Sequence, residues 1–576
     1  MLTTMGVPRL FPFIINTFPK SVKHFRLGKF RTKVDYLLVD SNCLLHNACQ
    51  QVYRYGADKS VVDQYEGMTP QQKHRAVCEL YMSKLNEVIS MITPQKVLHL
   101  TLDGSAPLAK QAQQRQRRYT AARTRSEEGT TAFDSSSISP GTTFMHEVTK
   151  YINYAIRCEF NCGKWHNFEV RFSPCTVAGE GEHKILTYIR SLSGKERSES
   201  TFCMFGPDGD LIMLTLSAHV PKMFLFREDV YQRDHFHYLD MGMIYRNIGE
   251  IFGTTAKSRK IRDMVNDFVF LGFFVGNDFL PKVQMFHLLE EGIECMLAMQ
   301  SKLSEHSHRA GLRDYITVGG KVNPKGLRLF VKAVAENEKE LLEAQKSFRP
   351  PAEQFKNNTL LRNLNVDGKL NWTEYRTDYY KKSSISSESE INDMCLDYIR
   401  TLAWILEYYI HGLPAWRWVY PWHYAPLMTD VAEMLATMTD SDIMELCKFQ
   451  LDTPSLPFVQ LLSILPPSSS DLVPYPYRSL FTSGKLIEKG YYPDPRIFPI
   501  DYEGRLKEYQ GVSILPFVQY DDVAEAYKEI DADVRHKFPR NTFTKEVIYR
   551  YDEGYLSRYE SEYGEIAICR VRKTEI

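Results

Sequence analysis

Short apolar runs that each close on an acid recur through the first half of the chain. Tyr36, Leu37, Leu38 and Val39 end on Asp40, and Val97, Leu98, Leu100 and Leu102 end on Asp103. Continuous apolar runs of this length read as strands covered on both faces. Between them Val77, Leu80, Tyr81, Leu85, Val88, Ile89 and Ile92 recur at helical spacing and stop before Pro94, which cannot continue a helix. Strand, helix, strand is a parallel crossover unit. Further strands are expected at 168–172 and 202–205, and helices at 183–189 and 261–274. The fold class this predicts is α/β, a mainly parallel central sheet flanked by helices.

The periodicity fades from about 347 to 390 into Arg-Pro-Pro, Asn-rich and Ser-rich text, which reads as a surface connection. The expected organisation is an N-terminal region 1–345, a linker 346–389, a second region 390–540 packed on the first, and a C-terminal tail 541–576. The second region opens with a helical pattern over 391–409. Trp416, Trp418 and Trp422 then crowd a proline-containing loop, and ten of the 28 prolines fall between Pro454 and Pro516. So proline-rich a stretch suits an irregular segment wrapping another domain. No internal repeat is present.

A chain of 576 residues is long enough for two or three globular units. Its 43% hydrophobic and 25% charged residues exclude a disordered, collagen-like or coiled-coil protein. The 71 basic and 71 acidic residues cancel, so any anion binding is local. Eleven cysteines without a CxxC pair point to reduced thiols. Cys158, Cys162 and His166, with Cys175 beyond, come closest to a zinc motif, but their spacing is not a standard one and ordinary thiols are expected. The longest apolar run, 268–276, is about half a membrane span, and no signal-peptide core follows the N-terminal charges, so a soluble, non-exported protein is expected.

Acids at strand ends carry the strongest chemical signal, because ligands of open α/β sheets gather beyond the carboxyl ends of the strands. Asp40 and Asp103 should sit there. A third strand leads into Gly-Pro-Asp-Gly-Asp-Leu-Ile-Met-Leu, where Asp208 and Asp210 would share one face if the stretch is extended. Glu180 and Glu182 lie in Gly-Glu-Gly-Glu-His-Lys, whose glycines permit a sharp turn into a helix, and Asp278 follows a hydrophobic helix. Each acid alone would more often be a turn-former or helix cap. Seven carboxylates in one cleft need cations, and oxygen-liganded divalent metals are the natural ones.

Directly after Asp103, residues 109–125 hold Lys110, Arg115, Arg117, Arg118, Arg123 and Arg125 without one acid. A basic helix is usually just a solvated face. Beside an acid cluster, Gln114, Arg117 and Arg118 at helical spacing can instead present forked donors to a phosphate. Acids plus an anion site point to two-metal phosphodiester chemistry.

The same residues carry a family resemblance. Met-Gly-Val-Pro-Arg-Leu-Phe from Met5, Leu-Val-Asp-Ser-Asn-Cys-Leu-Leu-His-Asn to Asn47, the stretch from Asp103 to Tyr119, Ser-Pro-Gly-Thr-Thr-Phe-Met to Met145 and Gly-Glu-Gly-Glu-His-Lys-Ile to Ile185 resemble the XRN-type 5′→3′ exoribonucleases. So do the Asp208 and Asp210 block, Val-Gly-Asn-Asp-Phe-Leu-Pro, Trp416 to Pro426 and Tyr-Gln-Gly-Val-Ser-Ile-Leu-Pro-Phe to Phe517, all in the family's order. Where the family usually has a Leu-Asp-Ala-Asp type sequence, this chain has Pro207 and Gly209, a departure that bears on loop shape.

The resemblance implies a processive exonuclease that releases nucleoside monophosphates from single-stranded RNA bearing a 5′-monophosphate. It implies two Mg²⁺ ions, with Mn²⁺ able to substitute, held by Asp40, Asp103, Glu180, Glu182, Asp208, Asp210 and Asp278. Its 5′-phosphate pocket falls on Lys110, Gln114, Arg117 and Arg118. Base stacking falls on His46 and on Trp416, with Trp418 as the alternative. A decapping enzyme would act upstream. A monomer without membrane contact and a cytoplasmic location are expected, with a nuclear pool left open by the basic cluster Lys257, Arg259, Lys260 and Arg262. The family's C-terminal additions and zinc knuckle find no counterpart here, so a minimal catalytic core is expected. The rival readings are a flap-endonuclease-like DNA nuclease and a catalytically inactive RNA-binding scaffold.

Overall fold

A computed structural model of the chain describes residues 10–55, 63–128, 133–229, 232, 234–251, 258–286, 296–297, 315–345, 358–502, 511–530 and 537–576. Residues 5–9 of the opening block, Lys257, residues 346–357 of the expected linker and residues 509–510 of the last block lie outside these. Among the described residues, no helix is long and apolar enough to cross a membrane.

Among the described residues, seven strands of the first half and two from the C-terminal end form one nine-stranded sheet. We number them β1 (Val22–Arg26), β2 (Thr32–Asp40), β3 (Ile92–Thr101), β4 (Glu169–Ser173), β5 (Phe202–Phe205), β6 (Met223–Glu228), β7 (His235–Asp240), β8 (Val547–Tyr551) and β9 (Val571–Glu575). Their spatial order is β1-β7-β6-β5-β2-β3-β4-β8-β9. The five central strands, β6 to β4, are parallel, and the outer pairings are antiparallel. The mixed edges are typical of large sheets.

Strand periodicity divides the core in two. Tyr36, Leu38, Phe202, Met204 and Leu225 face one apolar cluster, while Leu37, Val39, Leu98, Leu100, Cys203 and Phe205 face the other. The crossover helix is Pro70–Met91, opened by a capping box in which Thr69 and Gln72 satisfy each other's backbone N–H groups. The first cluster continues without a break into the second half. There the Glu388–Ile410 helix, itself started by a Ser387–Glu390 capping box, buries Tyr398, Leu402, Trp404, Ile405, Tyr408 and Tyr409. The two halves therefore share one core.

Three expectations of organisation change. The described part of the 346–389 segment is not a surface connection, because its Trp372–Lys382 helix buries Tyr375, Tyr379 and Tyr380 in the shared core. The aromatic face at helical spacing stands just before the Ser-rich text. The proline-rich stretch has a small core of its own around Phe458, Leu461, Leu462, Tyr477 and Tyr527. The 541–576 segment is not an appended tail, since β8 and β9 extend the central sheet from β4.

Candidate active site

Each acid is placed by the element before or after it. Asp40 ends β2 and caps the Ser41–Tyr53 helix, accepting from the Asn42 backbone N–H at 3.2 Å. Asp103 follows β3 and accepts from Asn42 Nδ2 at 2.6 Å and from the Gly181 N–H at 2.7 Å, while its own N–H donates to Asn42 Oδ1 at 3.1 Å. Glu180 is the N-cap residue of the Gly181–Ser191 helix and Glu182 lies in its first turn, where the helix dipole favours a carboxylate. Asp208 sits in the turn after β5. Asp278 follows Gly276, whose positive φ of 99° ends the run of the Ser258–Phe274 helix.

The Asp208–Asp210 stretch is not extended, so the condition under which the two acids would share a strand face is not met. Asp210 is instead the first residue of the Asp210–Ser217 helix, in which every residue is buried. An acid at a helix N-terminus and four successive apolar side chains favour that outcome over a strand. Arg227 on β6 holds the turn by donating to the Pro207 carbonyl at 2.6 Å. Asp208 and Asp210 both remain within electrostatic reach of Asp278 across this turn.

All seven acids are brought together. One oxygen each from Asp40, Asp103 and Glu182 lies within 4.8 Å of the others. Gly181 makes the close approach possible, because a Cβ there would stand 3.0 Å from Asp40 Oδ1 and from Thr101 Oγ1. On the other side of the cluster the Lys110 ammonium lies 2.7 Å from Glu180, 2.9 Å from Asp278 and 4.0 Å from Glu182. Grouped by sequence with the phosphate pocket, Lys110 here neutralises the acids.

The cluster is electrostatically strained. Burial, then Asp103 and Asp208, raise the Asp40 carboxyl well above the usual range, and burial, then Glu180, do the same to Glu182. Burial, then Asp278 and Asp208, push Asp210 up to about 7. Burial raises Asp208 and Glu180 against the opposing pull of Lys110. For Asp278 burial also pushes upward, but Lys110 and Arg117 outweigh it and hold the carboxyl low. An oxygen-only donor set carrying this much unneutralised charge fits hard divalent cations such as Mg²⁺ or Mn²⁺.

The Leu108–Glu128 helix splits its cations between two tasks. Arg115 donates to the Ser463 carbonyl at 3.0 Å, Arg123 to the Arg496 carbonyl at 3.2 Å, and Arg125 pairs with Asp134 at 2.5 Å. Those three hold structure together and do not form part of an anion site. Gln114, Arg117 and Arg118 lie on the face that carries Lys110. Gln114 Oε1 accepts from Gln460 Nε2 at 3.1 Å, and Arg118 donates to Ser139 Oγ at 2.6 Å. Burial, then the neighbouring Arg117, lower Arg118 to about 10.

His46, on the Ser41–Tyr53 helix, is held neutral, lowered to about 4 chiefly by burial and further by Arg118 and Arg117. The backbone carbonyl of Trp416 accepts from the Leu108 N–H at 2.8 Å, so the tryptophan loop is tied to the start of the basic helix. The indole of Trp418 donates to Thr401 at 3.1 Å beneath Arg400, and that of Trp422 donates to Asp397 at 2.9 Å. The Trp416 indole makes no hydrogen bond or ring contact among the described residues. Cys158, Cys162, His166 and Cys175 do not converge. Cys175 is buried against Met145 and Thr149, and the His166 ring stacks on Tyr551 at 3.7 Å.

Sequence reasoning missed four supporting residues. Asn42 bridges to Asp103 through both its amide atoms. Tyr408 donates to Glu180 Oε1 at 2.9 Å, and His183 stacks on its ring at 3.5 Å. Gln460 is fully buried and also accepts from the Ala106 N–H at 2.8 Å. Asn42 and His183 stand inside the quoted blocks, whereas nothing in the text around Tyr408 or Gln460 marks them.

Residues 5–229 match the family model described as the XRN 5′-3′ exonuclease N-terminus, and residues 258–367 and 351–559 match that of the Xrn1 helical domain. Human 5′-3′ exoribonuclease 1 is 27% identical, over 99% of this chain and 37% of its own length. The Saccharomyces cerevisiae 5′-3′ exoribonuclease 1 is 25% identical, over 98% of this chain and 46% of its own. The Arabidopsis thaliana 5′-3′ exoribonuclease 2 is 27% identical, over 79% and 59% respectively. The chain thus spans about a third to three-fifths of these relatives. With both family regions matched in order over nearly its whole length, the chain belongs to the XRN 5′-3′ exonuclease family.

Proposed function

We propose that the chain is a processive 5′→3′ exoribonuclease that degrades RNA with a 5′-monophosphate to nucleoside monophosphates. The observation that carries this reading is one helix serving two sites. Lys110 reaches into the acid cluster, and Arg117 and Arg118 stand two turns later on the same face. Seven residues of α-helix rise about 10 Å, so one rigid element carries both groups of side chains at a fixed separation.

The seven acids would hold two divalent ions between them, Asp40, Asp103 and Glu182 forming one close group of oxygens. Bound there, Mg²⁺ or Mn²⁺ supplies Lewis-acid polarisation of the scissile phosphodiester. Lys110, relieved of neutralising Glu180 and Asp278, turns its charge to the substrate. Arg117 and Arg118 grip the terminal phosphate as forked donors, with Gln114 held in place by Gln460. His46, neutral and flat, and Trp416 stack on the leading bases without reading their identity. On this reading the grip on the terminal phosphate oxygens excludes a cap or a triphosphate by size. This reading makes the protein a monomer acting in the cytoplasm on single-stranded RNA released by a decapping enzyme.

The test offers purified protein capped, triphosphorylated, monophosphorylated and hydroxyl-ended RNA, with Mg²⁺ or with EDTA. Degradation of the monophosphorylated RNA alone, abolished by EDTA, is expected. Degradation of all four at one rate, or cleavage of DNA flaps in preference, would overturn it.

A further inference from the structure

At the opposite edge of the sheet from β9, three potential ligands converge outside the acid cluster. His24 on β1 and His237 on β7 are direct cross-strand partners, so their side chains share a face. Their rings stack with centroids 4.7 Å apart at 28°. Asp229, just beyond the end of β6, directs one oxygen at both. Its Oδ2 is 3.0 Å from His237 Nε2 and 3.5 Å from His24 Nε2. One ligand atom from each of the three lies within 4.8 Å of the others.

We propose that His24, Asp229 and His237 form a second metal site, built for a divalent first-row transition ion of the zinc type and separate from the carboxylate cluster. A tetrahedral ion with bonds of about 2.0–2.1 Å spaces its ligand atoms roughly 3.3 Å apart, and the two measured distances straddle that value. A plain histidine–carboxylate hydrogen bond accounts for His237. It does not account for a second imidazole nitrogen facing the same oxygen at 3.5 Å, beyond good hydrogen-bond length.

Two imidazoles and one carboxylate select zinc-like ions over Mg²⁺, which prefers oxygen alone. The His24 side chain is 42% exposed, against 12% for His237 and 11% for Asp229. An ion can therefore enter from the His24 side and keep a water there. Arg227 stands in register with His237 on the next strand, and its guanidinium attracts Asp229. The bound ion would pin the outermost strand β1 to β7 and to the turn after β6.

The experiment titrates Zn²⁺ calorimetrically into protein held in millimolar Mg²⁺, so that the carboxylate cluster is already occupied. One equivalent is expected to bind the parent and Asp210→Asn alike. His24→Ala, which alters an exposed position, and Asp229→Asn should each weaken binding at least about tenfold. Co²⁺ in place of Zn²⁺ should give a visible absorption band that His24→Ala abolishes. No stoichiometric uptake by the parent, or equal Zn²⁺ affinity in His24→Ala and the parent, would overturn the site.

Discussion

Replacing Asp210 by Asn should stabilise the metal-free protein at neutral pH and leave it nearly unchanged at about pH 4. Asp210 is buried at the start of its helix, and burial together with Asp278 and Asp208 pushes its carboxyl up to about 7. In the unfolded chain the same group titrates near its ordinary value of about 3.9. Between those two values the folded protein holds a proton that the unfolded chain has lost. Stability conferred by the neutral form is therefore complete below about pH 4 and falls as pH rises, by about 1.4 kcal/mol per pH unit, until the folded group ionises near 7. The loss sums to about 4 kcal/mol. Asn carries no such term. Asp40 and Glu182, also raised, add to the decline of the parent in the same direction. Denaturant unfolding in EDTA from about pH 4 to pH 8 would measure the gap between Asp210→Asn and the parent, which should open steadily to about 4 kcal/mol. Mg²⁺ should narrow it, because the folded parent with all seven acids binds the ions more tightly than the variant with six. A gap that does not vary with pH, or a variant less stable than the parent at about pH 8, would refute the reasoning.

Replacing Arg117 and Arg118 together by Ala should remove about 2–4 kcal/mol of preference for a monophosphate over a hydroxyl 5′ end, read as the ratio of kcat/KM values. Unchanged selectivity would place the phosphate elsewhere. His46→Ala should cleave the first nucleotide yet release RNA early, leaving a ladder under single-encounter conditions, since stacking contributes about 1–3 kcal/mol per base. Trp416→Ala should behave likewise, whereas Trp418→Ala, losing the Thr401 bond and the Arg400 contact, should chiefly lower thermal stability. A processive His46→Ala would remove the clamp. Gly181→Ala drives a methyl to 3.0 Å from Asp40 Oδ1, so turnover should need more Mg²⁺ while RNA affinity holds; an unaltered Mg²⁺ dependence would show that the carboxylate can yield freely.

Much of the site was legible because strand-end acids are a local signal. The runs before Asp40 and Asp103 became β2 and β3 in parallel register, and the Val77 to Ile92 periodicity became the crossover helix. What escaped was set by tertiary contact. The basic run looked uniform in sequence, yet Arg115, Arg123 and Arg125 find carbonyls and an acid on segments hundreds of residues or a loop away. Asp210 reads equally as strand or helix from its neighbours, and only packing of the apolar run behind it decides. Lys110 took its place among the acids because closely grouped, buried and half-buried carboxylates attract a long cation within reach. The strands β8 and β9 carry weak alternation and were hidden by their exposed charges, Arg550, Arg572 and Lys573.

The pairing of β8 with β4 also bears on how the molecule can be made. Phe172 meets Val547 and Val170 meets Tyr549, partners separated by about two-thirds of the chain, and Glu546 anchors the junction by accepting from Arg171 at 2.7 Å. During synthesis the β4 edge must wait, with its backbone groups unpaired, until residues 547–549 have left the ribosome. A nascent chain stalled before then presents an open template for strands of other molecules. Expression of residues 1–345 alone would freeze that situation permanently, and such a fragment should be recovered as aggregate, not as an autonomous catalytic half.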